Sequence, residues 1–442
     1  MLRRILEQRL LRVWYERESG LSDRLLALAL SPLEQLARLY VRKKFRSRII
    51  RPHAEHSALP AVIVIGNITV GGTGKTPVIN ALAQALSNAQ YKVGIIARGY
   101  GANVDASGSP VLLDAQSKPE DVGDEPVMVW RHLNCVESMP RKVPVAVGRD
   151  RLAAYELICQ QSDLDIVLSD DGLQHYALPR SVEIIVIDGG RAFGNRRLIP
   201  AGPLREPVAR IRHADLLFVN RGSHSDSAIA DEAVTAAGRD GLEDELKATG
   251  VPVHGFHVVN TALVPLSRKG SSLQNIAKNR FNDKPDASEV LATALSEYAV
   301  SQIILVSGIA NPTRFHSEFD AIFRKAKASA ESLWCESAAS TPIEQISVKN
   351  AIFPDHHQYK ISDLQAFIGQ PDSLVIMTEK DAVKCASLLK SLESDGKGCA
   401  PVFSLAVEAV FEGEQPIDTW LSEILRKVPS STTSTGKVHH VL

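Results

Sequence analysis

Ala61-Val-Ile-Val-Ile-Gly66 runs without a break into Asn67-Ile-Thr-Val-Gly-Gly-Thr-Gly-Lys-Thr-Pro77, and a helical stretch, Pro77 to Asn88, follows at once. An apolar run of this length bounded by glycine reads as a buried strand. A Gly-rich turn between a strand and a helix lets backbone N–H groups approach phosphate oxygens, and the helix N-terminus adds its dipole. Within the turn, Thr69, Val70, Gly71, Gly72, Thr73 and Gly74 supply the cradle, Lys75 the cation and Thr76 a hydroxyl for magnesium. The usual first glycine of such a loop, five positions before Gly74, is Thr69 here. A ligand-free turn is the bland alternative, and the placement of Gly-Lys-Thr between strand and helix argues against it.

Working outward, further apolar runs recur at Lys92–Ala97, Val143–Val147, Asp165–Leu168, Val182–Ile187 and Asp215–Val219, with helical segments such as Arg149–Gln160 between them. Short apolar strands alternating with helices predict an α/β fold, a P-loop NTPase-type, mostly parallel sheet flanked by helices. The alternation resumes at Gln302–Val306 and Ser373–Met377, which predicts a second, smaller α/β lobe. The expected organisation is a basic amphipathic segment over 1–51, a P-loop core over 52–221, a divergent linker or insertion over the polar, weakly periodic 222–290, the second lobe over 291–428, and a low-complexity tail over 429–442.

Composition narrows the function classes. The 442 residues are 44% hydrophobic and 23% charged, so disorder is excluded as the main state. Lys+Arg 50 against Asp+Glu 51 gives a net charge of −1, and no global field draws the chain to nucleic acid. The five scattered cysteines include no C-x-x-C pair, which suits a reducing compartment better than a disulfide framework or zinc cluster. Polar residues interrupt any signal-peptide core near the N-terminus, and no apolar window is long enough to span a bilayer, so the expectation is a chain neither secreted nor membrane-spanning.

Residues 1–51 hold 13 Lys/Arg against 5 Asp/Glu, a local net charge of +8. Leu21, Leu25, Leu28, Leu36, Leu39 and Tyr40 recur near helical spacing, while Arg42, Lys43, Lys44 and Arg46 crowd the end. Such a segment can lie in a membrane interface, with Trp14 and Tyr15 at the headgroup boundary. A helix packed on the domain with a solvated basic face is the alternative.

Three further groups of residues carry chemistry. Strand 165–168 leads into Asp170 and Asp171, where a P-loop protein places its metal-side aspartate, and Gln174 and His175 follow. One or two carboxylates plus phosphate oxygens suffice for magnesium. Alone, an Asp-Asp pair is more often a turn or a cap, and the neighbouring phosphate loop reverses that reading. Gly123-Asp-Glu-Pro126 and Asp355-His-His357 offer an acid and a histidine for proton abstraction, although isolated loop tripeptides are weak signals. Arg196–Pro207 is a Pro/Gly-punctuated loop in which Arg205 can meet phosphoryl charge or simply pair with Glu206. Arg98-Gly-Tyr-Gly101 and Thr378-Glu-Lys-Asp-Ala-Val-Lys384 also follow strands, where doubly wound sheets bind ligands.

Taken together, the phosphate loop 66–77, Arg98-Gly-Tyr-Gly101, Gly123-Asp-Glu-Pro126, Asp170–His175, Pro200–Pro207, Ser307-Gly-Ile-Ala310, Phe353-Pro-Asp-His356 and Thr378-Glu-Lys-Asp381 resemble, in order, the motifs of tetraacyldisaccharide 4'-kinases, the lipid A kinases of Gram-negative envelope synthesis. Thr69 also belongs to that family's pattern. The resemblance implies a two-lobed P-loop enzyme that uses ATP and Mg2+ to phosphorylate the 4'-hydroxyl of a tetraacylated glucosamine disaccharide 1-phosphate. It further implies a peripheral position on the cytoplasmic face of the inner membrane and no nucleic-acid partner.

By the same resemblance Lys75 and Thr76 match the phosphate loop. Glu125, Asp170 and Asp171 match the magnesium neighbourhood, Asp124 and His356 the proton-abstracting pair, and Arg205 and Glu206 functional positions, with Arg98, Gln174 and His175 also at the site. Asn311-Pro312 and the segments 222–290 and 429–442 depart from the pattern. Two other readings compete with it, a switch NTPase and a nucleotide-binding membrane scaffold. The first lacks a guanine-reading N-K-x-D motif or a Cys/His cluster, and turnover of ATP with a lipid acceptor separates the second.

Overall fold

The computed structural model describes residues 2–15, 20–49, 59–100, 103–104, 108–135, 139–222, 241–266, 286–298, 300–309, 312–333, 343–355, 357–370, 372–394, 400–413 and 416–428. One twelve-stranded sheet organises the chain, in the order β10-β9-β11-β12-β8-β7-β6-β1-β5-β2-β4-β3. These strands are β1 Ala61–Gly66, β2 Val93–Ala97, β3 Val111–Leu112, β4 Val145–Val147, β5 Ile166–Asp170, β6 Val182–Asp188, β7 Leu216–Asn220, β8 Val253–Pro265, β9 Gln302–Ser307, β10 Ser347–Ile352, β11 Ser373–Thr378 and β12 Val402–Phe411. Their pairings are parallel except β3 with β4 and β8 with β12. β1 lies between β5 and β6 and is buried along its whole length, as an apolar run covered on both faces requires.

The expected linker or insertion over 222–290 is corrected in part. Its stretch 253–265 is β8, whose start pairs with β7 and whose length pairs with β12, so this strand fuses the two halves into one sheet. His254, Gly255, His257, Asn260 and Thr261 interrupt its apolar residues, and half-covered faces tolerate them. The stretches 223–240 and 267–285 of the segment, together with the expected tail 429–442, lie outside the described residues.

The helices that matter for the site are α1 Leu2–Tyr15, α2 Leu21–Ile49, α3 Lys75–Asn88, α4 Pro119–Val122, α5 Asp124–Asn134, α6 Arg151–Gln161, α7 Ala287–Glu297, α8 Pro312–Leu333, α9 Ile361–Ile368 and α10 Glu379–Ser394. α3 follows β1 and buries Val78, Ile79, Leu82 and Leu86 against the sheet. Trp14 and Tyr15, expected at a headgroup boundary, are half-buried and dock on the protein. Trp14 Nε1 donates to the Pro200 carbonyl at 3.0 Å, and Tyr15 lies under the Arg191 guanidinium with its hydroxyl 3.4 Å from the Val70 carbonyl. α2 is anchored by buried Glu34, which takes Arg38 and Arg197. Its opposite stripe of Leu21, Leu25, Leu28, Leu36, Leu39 and Tyr40 stands open, with Leu21 76% and Leu28 69% exposed. Among the described residues no helix is long and apolar enough to cross a membrane.

Candidate active site

The turn after β1 owes its shape to its glycines and to a strap. Gly71 and Gly74 take positive φ of 102° and 91°. A Cβ on Gly74 would lie 3.0 Å from Asn220 Nδ2 and 3.2 Å from the Phe256 ring, so no other residue fits there without displacement. Asn67 Nδ2 closes the turn on the Gly71 carbonyl at 3.3 Å. The 196–207 loop lies along it, with Val70 N donating to Pro203 O at 2.9 Å and Arg205 N to Ile68 O at 2.7 Å. Two motifs distant in sequence are thereby one piece of backbone.

β5 ends beside this turn and presents the two aspartates. Asp171 sits at φ 49°, a left-handed conformation that Asp adopts at modest cost. Lys75 Nζ is 3.4 Å from its Oδ1, and Arg205 Nη1 reaches Oδ1 and Oδ2 at 3.1 and 2.8 Å. Burial pushes the Asp171 carboxyl up, but the Lys75 and Arg205 charges outweigh it and hold the group at about 2. The alternative pairing of Arg205 with Glu206 is not found.

Asp170 behaves in the opposite way. Burial first, then the Glu125 charge, pushes its carboxyl up to about 7 against the pull of Lys75. Its Oδ1 is buried without a hydrogen-bond partner. An orphaned carboxylate oxygen on the strand paired with the one that opens the phosphate loop, Asp170 lying opposite Ile65, is a fitting ligand for a hard cation. Among the described residues no cluster of three or more His, Cys, Asp or Glu could hold a metal unaided.

Glu206 is a buried hub. It accepts from Gln174 Nε2 at 2.9 Å and Tyr176 Oη at 2.5 Å, with Arg210 Nε 3.3 Å away. Gln174 also donates to the Asn67 carbonyl at 3.2 Å, so Glu206 braces the phosphate loop from behind. His175 is held down to about 4 by burial and by the charges of Arg151, Lys44 and Arg98, with Asp171 opposing. Arg98 stacks on Tyr100, its guanidinium 5.6 Å from the ring centre. Lys44 belongs to α2, and Phe45 beside it packs on Tyr176 and His213, so the N-terminal helices reach the site. Sequence reading missed Arg151, Tyr176 and Arg210. Arg151 donates to the Gly148 and Asp170 carbonyls at 2.9 Å each, and a lone Arg at the start of a helix gives no sign of that.

Asp124 and Glu125 open α5 and face α10 of the other half. Lys380 Nζ lies 3.8 Å from Asp124, 3.8 Å from Glu125 and 3.5 Å from Asp355. The fold therefore brings the Phe353–His357 loop to Asp124, although His356 lies outside the described residues. His357 is engaged elsewhere. It stacks on Phe353 and meets Asp363 at 3.2 Å, an arrangement that fixes the loop to α9.

Comparison with known proteins gives the same picture from another direction. The chain matches the family described as Tetraacyldisaccharide-1-P 4'-kinase over residues 26–330 and 342–426. It is 34% identical over 376 residues to the Tetraacyldisaccharide 4'-kinase of Nitrosococcus oceani, covering 85% of each protein. It is 34% identical over 360 residues to that of Shewanella denitrificans, covering 81% of this chain and 84% of the relative. A crystal structure of LpxK from Aquifex aeolicus in complex with ATP superposes with a TM-score of 0.57 at 22% identity, covering 91% of this chain and 100% of that one, which shows a shared fold. A phosphate loop strapped to its arginine loop, paired aspartates beside it, and matches spanning most of both chains lead to one conclusion: the chain belongs to the tetraacyldisaccharide 4'-kinase family, ATP-dependent kinases of lipid A biosynthesis.

Proposed function

We propose that phosphoryl transfer to the 4'-hydroxyl of a tetraacylated glucosamine disaccharide 1-phosphate runs through the residues gathered around the Lys75–Asp171–Arg205 contact, at the cytoplasmic surface of the inner membrane. The convergence of Lys75 and Arg205 on Asp171 at the mouth of the phosphate loop carries this reading. Phosphoryl transfer requires positioning and charge neutralisation more than covalent help. The backbone of Thr69–Gly74 cradles the phosphates, and Lys75 and Arg205 turn from Asp171 to the oxygens where charge grows. Thr76, Asp170 and Glu125 would hold Mg2+, which neutralises phosphate charge when bound, and Asp171, of the same magnesium neighbourhood, would join them once Lys75 and Arg205 have turned away from it. Asp124 takes the acceptor proton, with His356 as its partner. Turnover of ATP with and without the lipid acceptor in detergent micelles tests the reading: phosphate must appear on the sugar, and acceptor-independent hydrolysis alone would refute it.

Asp124→Ala and His356→Ala are each expected to lower kcat by about 10²–10⁴-fold, the usual worth of general-base help. If the two act as a unit, the double variant loses little beyond the worse single. Fully multiplicative losses would sink the pair. His357→Ala is the control, because its contacts run to Phe353 and Asp363.

Membrane contact follows from the substrate. Exposing acyl chains to water costs about 0.8 kcal/mol per CH₂, so the enzyme comes to the bilayer. The open leucine stripe of α2 and the basic residues at its end supply an apolar face with flanking cations. Replacing exposed Arg42, Lys43 and Arg46 by Gln is expected to weaken binding to anionic vesicles far more than to neutral ones, since each cation near an anionic leaflet is worth about 1 kcal/mol. Lys44 is left in place because its ammonium acts on His175. Co-sedimentation across a salt series checks this, and equal binding by wild type and variant at every salt concentration would reduce the cluster to a solvated face.

A further inference from the structure

α10 begins at the end of β11 and carries Lys380 and Lys384 one turn apart on a single face. Both ammonium groups cross from this half of the chain to the same atom of the other half. Lys380 Nζ is 3.8 Å and Lys384 Nζ 3.7 Å from Asp124 Oδ2. The other oxygen, Oδ1, accepts from the Glu125 amide at 2.9 Å. The carboxylate is thus oriented by its own helix on one side and by two cations on the other.

Lys384 is the more telling of the pair. Its side chain is 10% exposed, and its buried Nζ makes no hydrogen bond. Its second neighbour is Asp381 Oδ1 at 3.6 Å. Asp381 is fully buried and locked, with Oδ2 accepting from Gly308 N at 2.8 Å and Thr378 Oγ1 at 2.6 Å. Gly308 is required there, because a Cβ would stand 2.9 Å from Asp381 Oδ1 and 3.0 Å from Tyr359 Oη. The Ser307-Gly308 turn and the Thr378-Glu-Lys-Asp381 stretch are therefore one assembly, and the charge it presents towards Asp124 is an ammonium.

A buried ion pair whose ammonium makes no hydrogen bond returns little of the desolvation cost of that charge and is a poor device for stability. A cation aimed at a carboxylate that must face a reacting hydroxyl is a good device for orientation. We propose that Lys384, assisted by Lys380, is a positioning residue that sets the Asp124 carboxylate across the boundary between the two halves. The proposal rests on the reading of Asp124 as the group that takes the acceptor proton. Lys380 extends the arrangement to the loop of His356, since it also contacts Asp355 at 3.5 Å.

The test uses the full chain with ATP and lipid acceptor in micelles. Lys384→Met, close in length but uncharged, should lower kcat at least tenfold while the KM for ATP stays within twofold. Lys384→Arg should recover a substantial part of the loss. In an Asp124→Asn background, Lys384→Met should cost little more. A Lys384→Met enzyme with more than half the wild-type kcat, or full multiplicative loss in the double variant, overturns the proposal. If Lys384→Met loses its cooperative thermal transition, Lys380→Met, at the more accessible position, is judged by the same criteria. Wild-type kcat in Asp124→Asn would remove the Asp124 reading and this proposal together. A crippled Asp124→Asn beside an unaffected Lys384→Met would remove the proposal alone.

Discussion

Lys75→Ala is expected to leave less than a tenth of the wild-type kcat, a barrier increase of at least ~1.4 kcal/mol. The side chain emerges from Gly74-Lys-Thr76 at the start of α3, and its ammonium stands 3.4 Å from Asp171. Arg205 shares the Asp171 carboxylate from the neighbouring loop, but the lysine of the loop itself is the cation placed to meet the β- and γ-oxygens as charge shifts between them. Folding should hardly suffer, because Asp171 keeps both contacts to Arg205. Steady-state kinetics and a thermal melt together make the check. A variant with more than a tenth of the activity would contradict the assignment, and one that has lost its melting transition would show that Lys75 supports the fold instead.

Asp170→Asn should reduce activity by roughly a hundredfold or more, the scale on which removal of a preorganised electrostatic partner acts, and at the same time should steady the metal-free protein at alkaline pH. In the folded chain the carboxyl is pushed up to about 7 by burial and by Glu125, whereas an unfolded Asp titrates near ~3.9. Between these values the folded state retains a proton that the unfolded state has released. Raising the pH through that window therefore costs stability. Asparagine does not titrate, so the melting temperature of the variant relative to wild type should climb from pH 5 to pH 8 in the presence of a chelator. Added Mg2+ should raise the wild-type melting temperature and leave that of the variant nearly unchanged. A stability difference independent of pH would mean that the Asp170 carboxyl is not destabilised by burial.

Much of the parallel sheet was legible in short apolar runs. β1, β2, β5, β6, β7, β9 and β11 are strands buried on both faces, and such strands are nearly continuous in Val, Ile and Leu. β8, β10 and β12 were not found. β10 lies at the sheet edge, where Ser347, Lys349 and Asn350 meet solvent, and β8 and β12 form the antiparallel join, where β8 is half-buried along most of its length and only the first half of β12 is buried throughout. The motif residues were likewise visible by type, since Gly, Asp, Lys and Arg in punctuated loops after strands are unusual enough to notice. Their partners were not. Nothing local to Glu206 announces Gln174, Tyr176 and Arg210, and Lys384 reads as one more solvated helix charge until α10 is packed against α5.

The chain's local chemistry was sufficient for the phosphate loop, the fold class and the basic amphipathic N-terminus, because each depends on residue spacing within one or two turns or one strand. Packing alone could decide that Asp170 and Asp171, adjacent and chemically identical, are pushed to opposite ends of the carboxylate range. One is buried with an orphaned oxygen beside Glu125; the other is clamped by Lys75 and Arg205, separated from each other by 130 positions. Packing also decided that Trp14 turns inward to Pro200 while the leucines of α2 remain outside. Coulomb energy and desolvation depend on distance through space and on what fills it, and neither quantity exists until strands 100 residues apart are laid side by side.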